Sequence, residues 1–265
     1  MTSTTSAEQA SERAFLSVAL LLFAASATGT IVWCASMSAV SKMPMPGGWM
    51  MSMTWMRMPG QTWPGAAASF LCIWVLMMVA MMLPSLVPML RRYRHAVGGP
   101  AETRLDWLTA RVGVGYFFVW TVFGMVAFLL GVALAAVEIQ QPVLARAVPV
   151  GVGVAVVLAG SLQLSAWKSR QLACCREALG RTLSADAGTA WRHGVCLGLH
   201  CSKCNLSLMT ILLVMGVMDL RVMAVVATAI TIERLAPPGE PVARVTGVVL
   251  VGAGLLLIAQ AAGLR

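Results

Sequence analysis

Seven apolar runs, separated by short segments that hold nearly all of the charge, decide what this chain can become. They fall at about residues 14–34, 66–90, 112–137, 148–165 and 195–217, then a short run ending near Leu235, then 242–262. A helix needs roughly 20 residues to cross a hydrocarbon core, and most of these runs approach or exceed that length. None shows the period-two alternation that a transmembrane β-barrel requires. Only 11% of the residues are charged and 59% are hydrophobic, whereas a soluble domain is roughly a quarter charged. In lipid every backbone amide has to be paired within its own segment, which selects helices. The expected fold is therefore all-α, a polytopic transmembrane helix bundle of about seven spans.

This pattern divides the chain into a polar cytoplasmic tail, 1–13, and a transmembrane helical domain, 14–265. Within the domain lie a Met-rich external segment, 37–58, and a cytoplasmic connection, 166–193. Ala25-Ser26-Ala27 resembles a signal-peptide cleavage site, but Glu8 and Glu12 beside Arg13 do not make a basic leader region. The first run is thus read as a retained helix.

The formal net charge of +9 does not mark a nucleic-acid binder, because the basic residues sit in the connections between apolar runs. With the N-terminus inside, the inner segments hold Arg13, the five arginines from Arg91 to Arg111, the six basic residues from Lys168 to Lys203, Arg234 and Arg244. The outer segments keep Lys42, Arg57, Arg146, Arg221 and Arg265. The positive-inside rule then favours a cytoplasmic N-terminus. Five of the seven cysteines, Cys174 to Cys204, fall at or near that reducing side, so a disulfide framework is not expected.

The sequence His200-Cys201-Ser202-Lys203-Cys204 carries the chemistry. On a helix, positions i, i+1 and i+4 project from nearly one face, so one imidazole and two thiols come within reach of one ion. Imidazole and thiolate suit zinc and copper, and the 19 methionines turn the choice toward copper(I). Cys175 and His193, in the connection before this helix, are candidates to complete the shell. Met77, Met78, Met81 and Met82 form adjacent thioether stripes on a helix interrupted by Pro84 and Pro88. In the external segment, Met43, Met45, Met50, Met51 and Met53 cluster closely enough for weak copper(I) capture, or lie as an amphipathic element on the membrane. Methionine is also an adaptable packing residue, which is the plain alternative for each cluster.

Several motifs occur in a fixed order. They are the run Trp74–Pro88, Tyr116-x-x-x-Trp120, Lys168 followed by Cys175-Arg176, and Trp191-Arg192-His193-Gly194. His200-Cys201-x-x-Cys204, Gly216-Val217-Met218 and Glu233-Arg234-Leu235 follow. Together, over roughly residues 66–237, they resemble a bacterial family of predicted metal-binding integral membrane proteins, a domain of unknown function. The resemblance implies metal binding and a multi-pass protein of the bacterial cytoplasmic (inner) membrane. The chain departs from it at Asn205, where a second adjacent cysteine is usual, at Gln171, where another cysteine is usual, and at Asp219 in place of asparagine.

The leading functional expectation is a membrane protein that handles copper(I), with zinc as the other candidate ion, acting as a chaperone, insertion factor or carrier. Its expected partners are the lipid bilayer and a metal-donor or acceptor protein or complex. A non-catalytic accessory subunit of a membrane metalloenzyme complex is a second class, and a membrane thiol oxidoreductase a third. The sequence has no nucleophile–base pair, phosphate-cradling loop or hydrolytic triad, so no catalytic residue is assigned.

The orientation has a direct check in single-cysteine variants, Ser38→Cys and Ser184→Cys, probed in intact cells with a membrane-impermeant thiol reagent. Labelling is expected at position 38 and not at 184. The opposite pattern reverses the topology.

Overall fold

The structure, a computed structural model, describes residues 2–38, 42–45, 49–57, 60–97, 102–177, 186–235 and 239–263. The fold is all-α apart from one short hairpin. The helices are α1 (Thr2–Ser38), α2 (Trp63–Val97), α3 (Glu102–Gln140), α4 (Pro142–Leu164), α5 (Ala166–Glu177), α6 (Ala187–Met215), α7 (Leu220–Leu235) and α8 (Gly239–Ala261). Between α1 and α2, strands β1 (Lys42–Pro44) and β2 (Met50–Ser52) pair antiparallel.

Six helices, α1, α2, α3, α4, α6 and α8, are long and apolar enough to cross a membrane. Their outer faces are apolar as well: Leu21, Leu130, Val248 and Leu256 are all mostly exposed. A soluble monomer rarely shows such a surface over its whole circumference, and it is compatible with a multi-pass membrane protein. The expected sixth span, α7, has 16 residues, about 24 Å of helix against a hydrocarbon core of roughly 30 Å. It ends inside the bundle at a buried ion pair described below.

The connections differ from a reading in polar loops. α1 begins at Thr2, so the polar N-terminal residues continue a helix. The 166–193 connection contains α5 and the first turns of α6. Asp186 caps α6, accepting from the backbone N–H groups of Gly188 at 2.9 Å and Thr189 at 3.2 Å. Those bonds, from Thr189 above all, hold its carboxyl below the usual range. α6 stops at Gly216, whose φ of +127° suits a residue without a side chain. Asp219 then opens α7 by accepting from the N–H groups of Arg221 and Val222.

Glycines set the packing. Along α3 and α6 the contacts advance together, Val112 with Gly194 and Tyr116 with Gly198, so these two helices run parallel. A Cβ added at Gly194 would sit 2.2 Å from the Val112 carbonyl oxygen, and one at Gly115 2.8 Å from that of Trp191. α4 and α8 make the most extensive pairing in the bundle and run antiparallel, with Gly153 facing Gly254 and Gly160 facing Gly247. Lipid is as apolar as leucine, so helices in a bilayer associate through such close backbone approach and not through a hydrophobic drive. Two tryptophans also use α3 glycines: Trp74 lies on Gly124 and Trp55 on Gly131.

The described part of the Met-rich segment closes the end of the bundle where α3 meets α4. Met45, Trp49, Trp55 and Met56 pack with Ala135 and Ala145, and the Trp49 indole donates to the Ala145 carbonyl at 2.8 Å. The side chains of Met43, Met51 and Met53 lie outside the described residues.

Substitution at two glycines separates packing from propensity. Gly194→Ala is expected to lower stability by about 1–3 kcal/mol, the usual cost of overpacking. Gly113→Ala, whose new Cβ meets nothing within 4 Å, is expected to be neutral or to stabilise by up to about 1 kcal/mol through helix propensity. Thermal unfolding in detergent distinguishes them, and equal midpoints would refute the close α3–α6 contact.

Candidate metal centre

Three helices converge on one sulfur. The Cys201 Sγ of α6 lies 2.8 Å from the Tyr116 hydroxyl of α3, 3.2 Å from the Asn205 amide nitrogen and 4.0 Å from the Met82 thioether sulfur of α2. All four residues are at most 1% exposed. The convergence follows from periodicity. Cys201, Cys204, Asn205, Leu208, Met209 and Leu212 recur at helical spacing and form the buried face of α6. Trp74, Met77, Met78, Met81 and Met82 do the same on α2.

The thioether stripe faces the bundle interior: Met77, Met78, Met81 and Met82 are each 2% exposed or less. α2 continues as a helix through Pro84, which has no N–H to offer the Ala80 carbonyl. Trp74 fixes the other end of the stripe, its indole donating to the Trp120 carbonyl at 2.8 Å.

Cys204 is also buried on α6, and its carbonyl accepts a 2.6 Å hydrogen bond from the Lys168 ammonium. His200 is half-buried, with Nδ1 2.8 Å from the Cys196 carbonyl. A proton on Nδ1 in that bond leaves Nε2 as the ligating nitrogen, a usual arrangement for metal-bound histidine. His193 lies two helical turns earlier, about 12 Å along the axis from Cys201, stacked on Tyr93 with ring centroids 5.5 Å apart. It is not at the thiols. The side chain of Cys175, on α5, lies outside the described residues. Among the described residues, no three His, Cys, Asp or Glu side chains gather as a ready metal cage. The sulfur that meets Cys201 is a methionine's.

A buried polar network braces this centre. Lys168 at the start of α5 pairs with Glu233 near the end of α7 at 2.8 Å, both side chains 2% exposed or less. The Gln163 amide donates to Glu233, and Ser207 donates to the Gln163 carbonyl oxygen at 2.7 Å. The network therefore ties α4, α5, α6 and α7 together beside Cys204. Lys203, the basic residue within the motif, is exposed, and the ammonium held against the site is that of Lys168.

The donor set suits a soft monovalent ion. Metal–sulfur bonds of about 2.3 Å at 120° place two sulfurs about 4 Å apart, which is the Cys201–Met82 separation. The Asn205 amide donates to the Cys201 sulfur at 3.2 Å, where the resemblance led to expect a further cysteine.

The ion pair yields a thermodynamic test. Lys168→Met leaves the Glu233 carboxylate uncompensated and is expected to cost about 3–5 kcal/mol, with most of that recovered in Lys168→Met/Glu233→Leu. Unfolding midpoints of the single and double variants in detergent report it. A double variant as unstable as the single one would disprove the coupling.

No curated protein and no solved structure matches the chain significantly. A family model described as PpoB2, copper chaperone, matches residues 71–257, from the Met stripe of α2 through the thiols of α6 into α8. The chain belongs to this family of copper chaperones.

Proposed function

We propose that this protein holds copper(I) inside a membrane bundle, on the thiols Cys201 and Cys204 and the thioether of Met82, and passes it to an acceptor protein. The contact that carries this reading is Cys201 Sγ to Met82 Sδ across α2 and α6 in a fully buried core. Membership of a copper chaperone family supplies the metal. Thiol and thioether sulfur together select the cuprous state, since soft ligands prefer it. The ion is cargo in this reading.

Loading exchanges a proton for the ion. Each cysteine that binds as thiolate gives up its thiol proton, and copper(I) takes the sulfur lone pair. Tyr116 and Asn205 hold Cys201 Sγ in place for that exchange, and Lys168 fixes the turn that carries Cys204. Met77, Met78 and Met81 extend the sulfur-lined face along α2 toward the hairpin end. With the N-terminus cytoplasmic, that end faces outward, where thioethers resist the disulfide formation that would consume thiols. The thiols then lie nearer the reducing side, at the cytoplasmic membrane of a bacterium. Delivery from there needs an acceptor with its own soft ligands.

Copper(I) titration of detergent-purified protein against a competing cuprous chelator tests this, with X-ray absorption reporting the ligands. Sulfur-dominated coordination is expected, together with its loss in Cys201→Ser/Cys204→Ser. Met82→Leu, close in volume, is expected to fold normally and bind about 10-fold more weakly, and Tyr116→Phe about 10–100-fold more weakly. Parental affinity in the double cysteine variant would refute the site.

Proton displacement sets the sign of the pH dependence. Affinity for copper(I) is expected to fall as pH is lowered, because protons compete for the thiolates. Proton release measured on loading in a weakly buffered solution checks this, and a pH-independent affinity would argue against thiolate ligation.

A further inference from the structure

Between α1, α2 and α3, away from the thiol site, runs an apolar groove of about 730 Å³. Its floor is α2 from Val75 to Leu90, its walls are Val18 and Leu22 of α1 and Val114 and Phe118 of α3, and it opens sideways. Those four wall residues are exposed, so the opening faces whatever surrounds the bundle. Gly113 widens it, since a Cβ there would meet nothing within 4 Å.

One end is closed by a polar latch. Arg94 of α2 donates to Asp106 of α3 at 2.5 Å and to Ser11 of α1 at 2.9 Å, with its guanidinium over the Phe15 ring. The arginines flanking that end outnumber the acids. Arg13 adjoins the lining residue Ala14, Arg111 adjoins Ala110, and both are exposed. Arg91 is paired with Glu12.

We infer that this groove binds one acyl chain of an anionic glycerophospholipid, with its phosphate at the Arg13 and Arg111 end. Lining and direction favour a hydrocarbon chain. From Val75 to Arg94 the groove follows α2 for about 28 Å, and its lining is apolar apart from Arg94, Asp106, Thr109 and Thr121. Its exposed walls open it to the same side as the apolar outer faces of the bundle. Charge favours an anionic headgroup, because the latch neutralises Arg94 while Arg13 and Arg111, next in sequence to lining residues of that end, are exposed, Arg111 with its guanidinium over the Trp107 ring. Basic pockets between membrane helices recognise phospholipid headgroups in this way. The inference stands apart from the copper site, which lies on the other side of the α2 Met stripe.

The experiment reconstitutes the full chain in vesicles containing spin-labelled phosphatidylglycerol or phosphatidylcholine and measures the motionally restricted fraction. The phosphatidylglycerol preference is expected to be at least about fivefold, the effect of one arginine near a surface. Arg13→Gln/Arg111→Gln is expected to abolish the preference. Gly113→Leu fills the groove and is expected to abolish the phosphatidylglycerol preference, leaving the general boundary lipid, and to keep copper(I) binding at the parental value. Equal restriction of the two lipids by the parent, or a preference that survives Gly113→Leu, would overturn the inference. So would a co-purifying protein or second copy that Gly113→Leu displaces.

Discussion

The close approach of α3 and α6 is the contact on which the candidate metal centre rests. Gly115, Gly194 and Gly198 let the two backbones touch, and the touching brings the Tyr116 hydroxyl within 2.8 Å of Cys201 Sγ. A bulkier residue at any of the three would push the helices apart by more than a hydrogen bond tolerates. The glycines are thus as much part of the site as the sulfur. α2 completes it from the other side, held in register by Trp74 seated on Gly124 and bonded to the Trp120 carbonyl.

A second device works at the junction of four helices. The pair Lys168–Glu233 lies in a part of the bundle where solvent cannot compensate either charge. Such a pair adds little net stability compared with an apolar replacement, because desolvation offsets the attraction. Its effect is positional. It fixes where α7 ends, and through the Lys168–Cys204 bond it fixes the turn of α6 that carries the second thiol. Gln163 donates to the carboxylate and Ser207 donates to Gln163, a chain of bonds that helps keep the arrangement single-valued.

Much of the bundle was legible from hydropathy, because a hydrocarbon environment leaves a chain few alternatives. Each apolar run became a helix, and the Met77–Met82 spacing implied one shared helix face, which the structure buries. Cys201 and Cys204 were legible as sharing a face because they are three positions apart, and that face too is buried. What eluded periodicity was contact between helices. Nothing in local spacing says that Tyr116 meets Cys201, or that Asn205 turns back onto the sulfur one turn before it. Lys168 was misleading in another way. Counted among the basic residues of a polar connection, it lies almost fully buried, because a glutamate 65 positions later comes to meet it. The Gly194-x-x-x-Gly198 spacing was the available sign of the α3–α6 contact.

The depth of Cys201 bears on durability. Oxidants convert a thiol to sulfenic acid and beyond only where they reach it, and chiefly as thiolate. A sulfur with no exposed surface, roofed by a phenol and a thioether, is shielded from peroxide. Among the described cysteines, the exposed Cys72 and Cys196 are the thiols that such chemistry would reach first. A soft-metal site ordinarily trades reactivity for vulnerability, and at the site proposed above the helix packing would relax that trade.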